Sequence, residues 1–296
     1  MKKVLVTGSE GYIGSHLVRM LAEHGGYDIT CMDTRFHGEY NDISNYVSDE
    51  SFTLFDDITG RISYEYYDAI IHLAGRSVVP QSLKEPSEYY RINTMGTENL
   101  LKYTDHKHFI FASTSSAFEM ASPYARSKVG AEDIIKEYSD EYTIFRFFNV
   151  SGSDGTNRQL GLPSHLIRRA AMAAAGLLPE IEIFGNDYDT PDGTCVRDYI
   201  HVLDVCDAIL NALDAGPTNT PYECLGSRKG YSVSKVLDTM QQVTGKKILT
   251  KISGRRPGDA VSCIVDELSK HCNLTRTLED MCLDQYNLEI NSIKKH

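Results

Sequence analysis

Short apolar runs recur through the first half of the chain, each closed by a turn and followed by an amphipathic stretch. Residues 3–7 (KVLVT), 28–32, 52–55, 69–73, 109–112 and 142–147 read as buried strands. The stretch after the first strand places Ile13, Leu17, Val18 and Leu21 on one helical face. Residues 86–103 and a segment opening at Ser122-Pro123 read as further helices. Ser there accepts a bond from the first free N–H groups, and Pro at the first helical position loses none. Residues 34–51 are polar and turn-rich and read as a loop with at most one helical turn. Strands alternating with helices predict an α/β fold, a Rossmann-type doubly wound parallel sheet over 1–150.

The pattern changes at 151–161, where Gly, Ser, Asn and Asp dominate. Beyond it a helix is predicted over 165–176, a strand over 181–184, turns over 185–193, and an extended run over 196–201. A helix over 203–213 and a strand over 222–225 follow, and these elements near 196–225 are candidates to return to the first region. A helix over 232–244, a strand over 247–252, a basic loop over 254–259 and two helices, near 266–272 and 277–287, complete the chain. Residues 151–296 thus form a smaller mixed α/β substrate domain.

In such folds ligands bind at the carboxyl ends of the strands, and the residues there are polar or small. The first strand runs into Gly8, Gly11 and Gly14, the order a dinucleotide pyrophosphate needs. Glycines let the backbone approach, and the free N–H groups of Tyr12, Ile13 and their neighbours at the helix start favour its charge. Asp33 ends the second strand about twenty residues on, where an acid accepts adenosine ribose hydroxyls and repels a 2′-phosphate. The expected cofactor is NAD; Arg35 is a cation that softens that preference. Asp57, followed by Ile58, is placed to take the adenine amino group, and Ala74-Gly75 to let a cofactor cross the strand tip. Asn93 is expected to pack under the strand carrying Thr114. Tyr124 and Lys128 share a helical face four residues apart, and a Lys ammonium beside a phenol lowers the Tyr pKa. Thr114 would share the proton that Tyr124 moves. Arg197 and Arg256, in turn-rich stretches beside Asp198 and Asp259, suit either surface ion pairs or a diphosphate clamp.

Composition narrows the partners. Thirty Lys and Arg against 41 Asp and Glu give a net charge of −11. That balance argues against nucleic acid or an anionic membrane as the main partner. Seven cysteines, with no C-x-x-C pair, argue against a disulfide framework or structural zinc, so no metal is expected and a cytoplasmic setting fits. No run approaches the roughly 20 apolar residues of a membrane span.

The chain resembles the extended short-chain dehydrogenase/reductases, and within them the nucleotide-sugar 4-epimerases. The matching stretches are TGSEGYIGSH (7–16), DAIIHLAG (68–75), SPYARSK (122–128), RFFN (146–149), IFGNDYDTPDGTCVRDYIHVLD (183–204), GRRPGD (254–259) and TRTLEDM (275–281). The resemblance implies NAD-dependent epimerisation of a UDP-hexose, the UDP-glucose/UDP-galactose pair with UDP-GlcNAc/UDP-GalNAc as a further one, and a homodimer seamed by the 86–103 helix and the one from Pro123. By position it makes Thr114, Tyr124 and Lys128 the catalytic set and adds Leu73, Asn93, Ser113 and Phe147 to the cofactor contacts. It assigns Phe148, Asn149, His165, Leu166, Phe184, Arg197, Arg256 and Asp259 to the substrate. Cys263 matches a position that gates sugar size, where a small residue admits N-acetylated sugars. Only nine residues separate Thr114 from Tyr124, fewer than the family normally has. Ser77 stands where the family has a lysine, with Arg76 beside it. A UDP-glucuronate epimerase or decarboxylase and a non-catalytic NAD-binding sensor are the alternatives. A 4,6-dehydratase is disfavoured by Ser115 and Ser116, where it needs an Asp-Glu pair.

Overall fold

The computed structural model describes residues 1–36, 38–48, 52–54, 57–60, 62, 65–161, 163–256 and 259–293. Two compact units divide the chain. The first comprises Met1–Phe147, Gln159–Gly161 and Cys206–Cys224; the second comprises Phe148–Arg158, Leu162–Val205 and Leu225–His296.

In the first unit the strands are β1 (Lys2–Thr7), β2 (Tyr27–Asp33), β3 (Phe52–Leu54), β4 (Ala69–His72), β5 (Phe109–Thr114) and β6 (Tyr142–Phe147). They lie in the order β3-β2-β1-β4-β5-β6, with Glu223–Leu225 beyond β6. Neighbouring strands among these six pair in parallel, from Cys31 opposite Phe52 to Thr114 opposite Phe147. This is the doubly wound order, with its switch point between β1 and β4. β1, β4 and β5 are apolar without alternation because helices cover both of their faces. Leu5, Ile70, Phe109, Phe111, Ala131, Ile135 and Ile144 form one buried cluster on one of those faces.

The helix α1 (Tyr12–His24) follows β1, and α2 (Pro123–Tyr138) follows β5. Ser122 caps α2 as predicted, its Oγ accepting from Ala125 N at 3.1 Å. The helix predicted over 86–103 forms as one continuous run, α-helical over Pro86–Tyr89, π-helical over Tyr90–Met95 and α-helical again over Gly96–Tyr103. Such widened turns gather at functional sites, and this one carries Asn93. The third strand ends at Leu54; the predicted Phe55 and the Asp56 after it lie outside the described residues. Over the described residues 34–36 and 38–48 the backbone forms turns, bends and irregular structure, in keeping with the loop reading.

In the second unit Val196–His201 is the organising strand. It pairs in parallel with Asn149–Ser151 and Ser262–Cys263 and antiparallel with Gly230–Ser232. Ile181–Phe184 pairs with Thr250–Ser253 in a separate parallel ribbon. Helices Leu166–Ala174, Val233–Thr244 and Leu278–Ile293 bury Ile167, Ala170, Val236, Met240, Leu278 and Met281 in a second core. The strand predicted over 247–252 starts three residues later, because Ile248 N donates to Gln241 Oε1 at 3.0 Å and ties that segment to the preceding helix. No helix forms over 266–272. Ser269 closes a turn there, its Oγ accepting from His271 N at 3.1 Å and its carbonyl from Cys272 N at 3.0 Å. None of the seven cysteines is in a disulfide.

Candidate active site

The glycine turn is built for close approach. Gly8 has φ +71°, and a Cβ on it would meet Ala74 N at 2.8 Å; one on Gly14 would lie 2.0 Å from Gly8 O. No side chain caps α1 at Gly11, so its N-terminal dipole is left for an anion. Asp33, at the tip of β2, accepts from Glu10 N at 3.0 Å and from Arg35 N at 2.9 Å. The Arg35 guanidinium is turned onto Glu10. Asp57 accepts from Thr59 N at 2.9 Å and lies 3.7 Å from Arg91, while the Ile58 side chain is buried in the core, which leaves only its backbone to a ligand.

Ala74 and Gly75 leave the tip of β4 with Leu73 N bonded to Thr7 O at 3.1 Å. Asn93 is buried, and its side chain is fully engaged. Its Oδ1 accepts from Arg76 N at 2.8 Å, and its Nδ2 donates to Arg76 O and Ser127 Oγ, both at 3.0 Å. It therefore pins the loop after β4 to α2. Arg76 is committed elsewhere, 2.8 Å from Glu85 and stacked 4.2 Å from the Phe36 ring centroid.

Thr114, Tyr124 and Lys128 are all buried. Nine residues suffice to return the chain from Thr114 to Tyr124. A 3₁₀ turn, Ser115–Phe118, begins on Thr114, whose Oγ1 accepts from Ser116 N at 3.2 Å. Met120 then takes φ +50°, and its carbonyl accepts from Arg126 at 2.9 Å. The compact connection keeps Thr114 close enough to Tyr124 for its hydroxyl to favour the phenolate.

One expectation is corrected. Burial pushes the Tyr124 phenol up, and the nearby Thr114 hydroxyl only partly offsets it. Lys128 does not lower it, because its Nζ donates to Ala112 O at 2.8 Å and lies over the Phe111 ring. Burial also pushes the Lys128 ammonium down to about 8, against the pull of Glu132.

Ser113 is likewise engaged: it donates to Glu132, which Arg146 grips with two bonds of 2.9 and 2.7 Å. Arg146 is stacked 3.8 Å from the Tyr222 centroid. His72, unremarked in the sequence, bonds Thr7 at 2.7 Å and Thr97 at 2.9 Å. Burial, with Lys128 nearby, drives its pKa down to about 3, so it stays neutral. Phe147 ends β6 and is buried.

The second unit contains a cavity of about 170 Å³ whose walls include Asn149, His165, Leu166, Phe184, Arg197, Arg256 and Asp259. The expected ion pairs are rearranged. Arg197 reaches Asp259 at 3.4 Å and also donates to Val196 O and Ala260 O, whereas Asp198 accepts from Ser227, Arg228 and Val265 backbone N–H groups. Arg256 stacks 3.6 Å from the Phe184 centroid and makes no ion pair among the described residues. Pro257 and Gly258 of that loop lie outside the described residues. Asn149 Nδ2 donates to Asp198 O at 2.8 Å.

Arg169 also lines this cavity with no ion pair among the described residues. The sequence reading missed it. It lies in the helix Leu166–Ala174 one turn after His165, and the i, i+4 spacing was the available signal. Two expected substrate residues of this unit are off the cavity wall: Phe148 is buried, and Cys263 is the register partner of Arg197 on the neighbouring strand.

A Rossmann-type sheet with a glycine turn, an acid at the tip of β2 and buried Thr114, Tyr124 and Lys128 defines a dinucleotide-binding α/β enzyme. The chain belongs to the NAD dependent epimerase/dehydratase family, whose model matches residues 4–224. A UDP-glucose 4-epimerase of Halalkalibacterium halodurans is 35% identical over 295 residues, covering 88% of this chain and 86% of that one. A UDP-glucose 4-epimerase of Stenotrophomonas maltophila, solved with NAD and formylated UDP-arabinopyranose, superposes with a TM-score of 0.87 at 28% identity, over 100% of both chains. The UDP-Glc/GlcNAc 4-epimerase of Campylobacter jejuni gives 0.78 at 31%, over 98% of this chain and 99% of that one.

Proposed function

We propose that this protein interconverts UDP-hexoses at C4, UDP-glucose with UDP-galactose, using NAD that is regenerated in each cycle. The observation that carries the reading is Tyr124, a buried phenol near the buried Thr114 hydroxyl and followed one turn later by the buried Lys128, in a chain alike to 4-epimerases over nearly its whole length. Tyr124 takes the proton of the sugar 4-hydroxyl and returns it, with Thr114 sharing it. A phenol that burial holds protonated needs a cation to become a base, and Lys128 supplies one on binding the nicotinamide ribose. NAD supplies a reversible hydride acceptor at C4. Epimerisation then requires the 4-ketose to present its other face.

Gly8, Gly11, Gly14, Asp33, Asp57, Ala74 and Gly75 hold the cofactor in this reading. Tyr12, Ile13 and the backbone of Ile58 support it, as do Leu73, Asn93, Ser113 and Phe147. Arg197 and Arg256 clamp the diphosphate with Arg169 as a third cation, and Asp259 orients Arg197. Phe184 and Leu166 face the nucleoside, and Phe148, Asn149 and His165 complete the substrate contacts. A small residue at Cys263 leaves space for an N-acetyl group, which extends the reading to UDP-GlcNAc and UDP-GalNAc.

Exposed Leu83, Tyr90, Met95 and Tyr103 on or beside the 86–103 helical run, with Tyr138 on α2, support a homodimer seam. Among the described residues no helix is long and apolar enough to cross a membrane, in keeping with a cytoplasmic enzyme.

The test is turnover of a UDP-sugar panel, including UDP-glucuronate, by wild type and Tyr124→Phe. UDP-galactose converted to UDP-glucose by wild type alone is the expected result. No turnover of any UDP-sugar by wild type would leave an NAD-binding sensor as the better reading.

A further inference from the structure

The glycine turn carries a carboxylate, Glu10, between Gly8 and Gly11, and it is only 1% exposed. A carboxylate so buried is costly unless paired. Its partner is Arg35, which donates from Nε to Oε2 at 2.6 Å and from Nη2 to Oε1 at 2.8 Å. Both residues are positioned by one side chain: Asp33 accepts the backbone N–H of Glu10 through Oδ2 and that of Arg35 through Oδ1. Asn41 adds two bonds to Glu10 O, at 3.1 Å from its N and 3.3 Å from Nδ2. Arg35 takes φ +50°, a left-handed conformation uncommon for a side chain of its kind, and its guanidinium lies 3.7 Å from the Tyr40 ring centroid.

The position of this pair matters more than its strength. The end of the second strand is where a dinucleotide fold meets the adenosine ribose. An acid there takes the 2′-hydroxyl, and a nearby arginine takes a 2′-phosphate. This chain has both, Asp33 and Arg35, two residues apart. The fold resolves the conflict by giving the arginine to Glu10.

We propose that Glu10 is a second determinant of cofactor choice: it holds Arg35 as an ion pair, withholds that cation from a 2′-phosphate, and so makes the site select NAD over NADP. Without Glu10, Asp33 would stand beside an arginine released from that carboxylate. The inference concerns which dinucleotide is retained and stands apart from the sugar chemistry. A merely structural ion pair would change stability on mutation and leave the preference between the two dinucleotides unmoved.

The experiment is calorimetric titration of cofactor-stripped protein with NAD and, separately, NADP. It uses wild type, Glu10→Gln, Glu10→Ala, Arg35→Ala and the Glu10→Gln/Arg35→Ala double variant, with circular dichroism to verify folding. Wild type should bind NAD far more tightly than NADP. Each Glu10 variant should tighten NADP by about tenfold, the scale of one charge-assisted contact, while NAD changes by less than about threefold. The double variant should lose that gain, and Arg35→Ala alone should bind NADP no more weakly than wild type. The proposal is overturned if the NADP-to-NAD ratio of the Glu10 variants stays near that of wild type, or if the gain survives loss of Arg35. Should the Glu10 variants not fold, Arg35→Ala decides: NADP binding weakened about tenfold would show that Arg35 already serves a 2′-phosphate and overturn the idea.

Discussion

The two units treat their charges in opposite ways. In the first, ionic groups among the described residues near the strand tips are paired internally, Glu10 with Arg35, Glu132 with Arg146 and Arg76 with Glu85. Its buried His72 is neutral, and burial weakens the hold of Lys128 on its proton. In the second, the cavity keeps Arg256 and Arg169 without ion pairs among the described residues, and Arg197 shares a single carboxylate. A site whose charges are settled in advance suits a retained cofactor and a proton moved between fixed atoms. Cations left without counterions suit an anionic ligand that arrives and leaves.

Each variant below asks whether that contrast holds. The largest effect belongs to Tyr124→Phe, expected to lower turnover of UDP-galactose by about 10²- to 10⁴-fold in a coupled assay, with cofactor retention unchanged. Glu132→Ala strips Arg146 and Ser113 of their shared partner inside the core. A stability loss of about 3–5 kcal/mol in urea unfolding is expected, whereas Glu23→Ala, breaking the exposed pair with Arg19, should cost less than about 0.5 kcal/mol. In the second unit Arg256→Ala and Arg169→Ala should each weaken UDP binding by about 10- to 100-fold by calorimetry, leaving stability intact. Equal destabilisation by the arginine and glutamate variants would dissolve the contrast.

Lys128→Met sharpens it through pH. With a folded pKa near 8 against 10.5 for the ordinary side chain, the unfolded chain binds the extra proton between those values. Stability of the cofactor-free protein should therefore rise as pH increases from about 8 to about 10.5, and the Met variant should lack that rise in thermal melts. The smallest change expected is in preference: Cys263→Tyr should narrow activity toward UDP-glucose and UDP-galactose, and an unchanged ratio to the N-acetylated pair would remove the gate argument.

The sheet was legible in the sequence because its central strands are buried on both faces and so appear as unbroken apolar runs. The glycine turn and the Ser122-Pro123 helix start were legible because backbone geometry at those points tolerates few residue types. Side-chain direction was not. The spacing of Tyr124 and Lys128 puts them on one helical face, yet Lys128 turns to the carbonyl of Ala112, and no local pattern encodes that. Asp198 and Asn93 went to backbone groups distant in the chain for the same reason. The 266–272 stretch failed as a helix because Ser269 offered its backbone neighbours a turn instead. Glu10 and Arg169 were invisible as features, since a charged residue in a loop or on a helix is ordinarily solvated.

The excursion of Cys206–Cys224 back into the first unit governs how the protein can be made. Glu223–Leu225 extends the sheet beyond β6, Asn219 bonds Tyr142 N at 2.8 Å, and Lys2 reaches Leu213 O. During synthesis the first unit thus stays open at that edge until more than two hundred residues have left the ribosome, long after Thr114, Tyr124 and Lys128 have emerged. A chain cut at residue 150 would carry all three and expose β6 as a strand edge open to pairing with other chains.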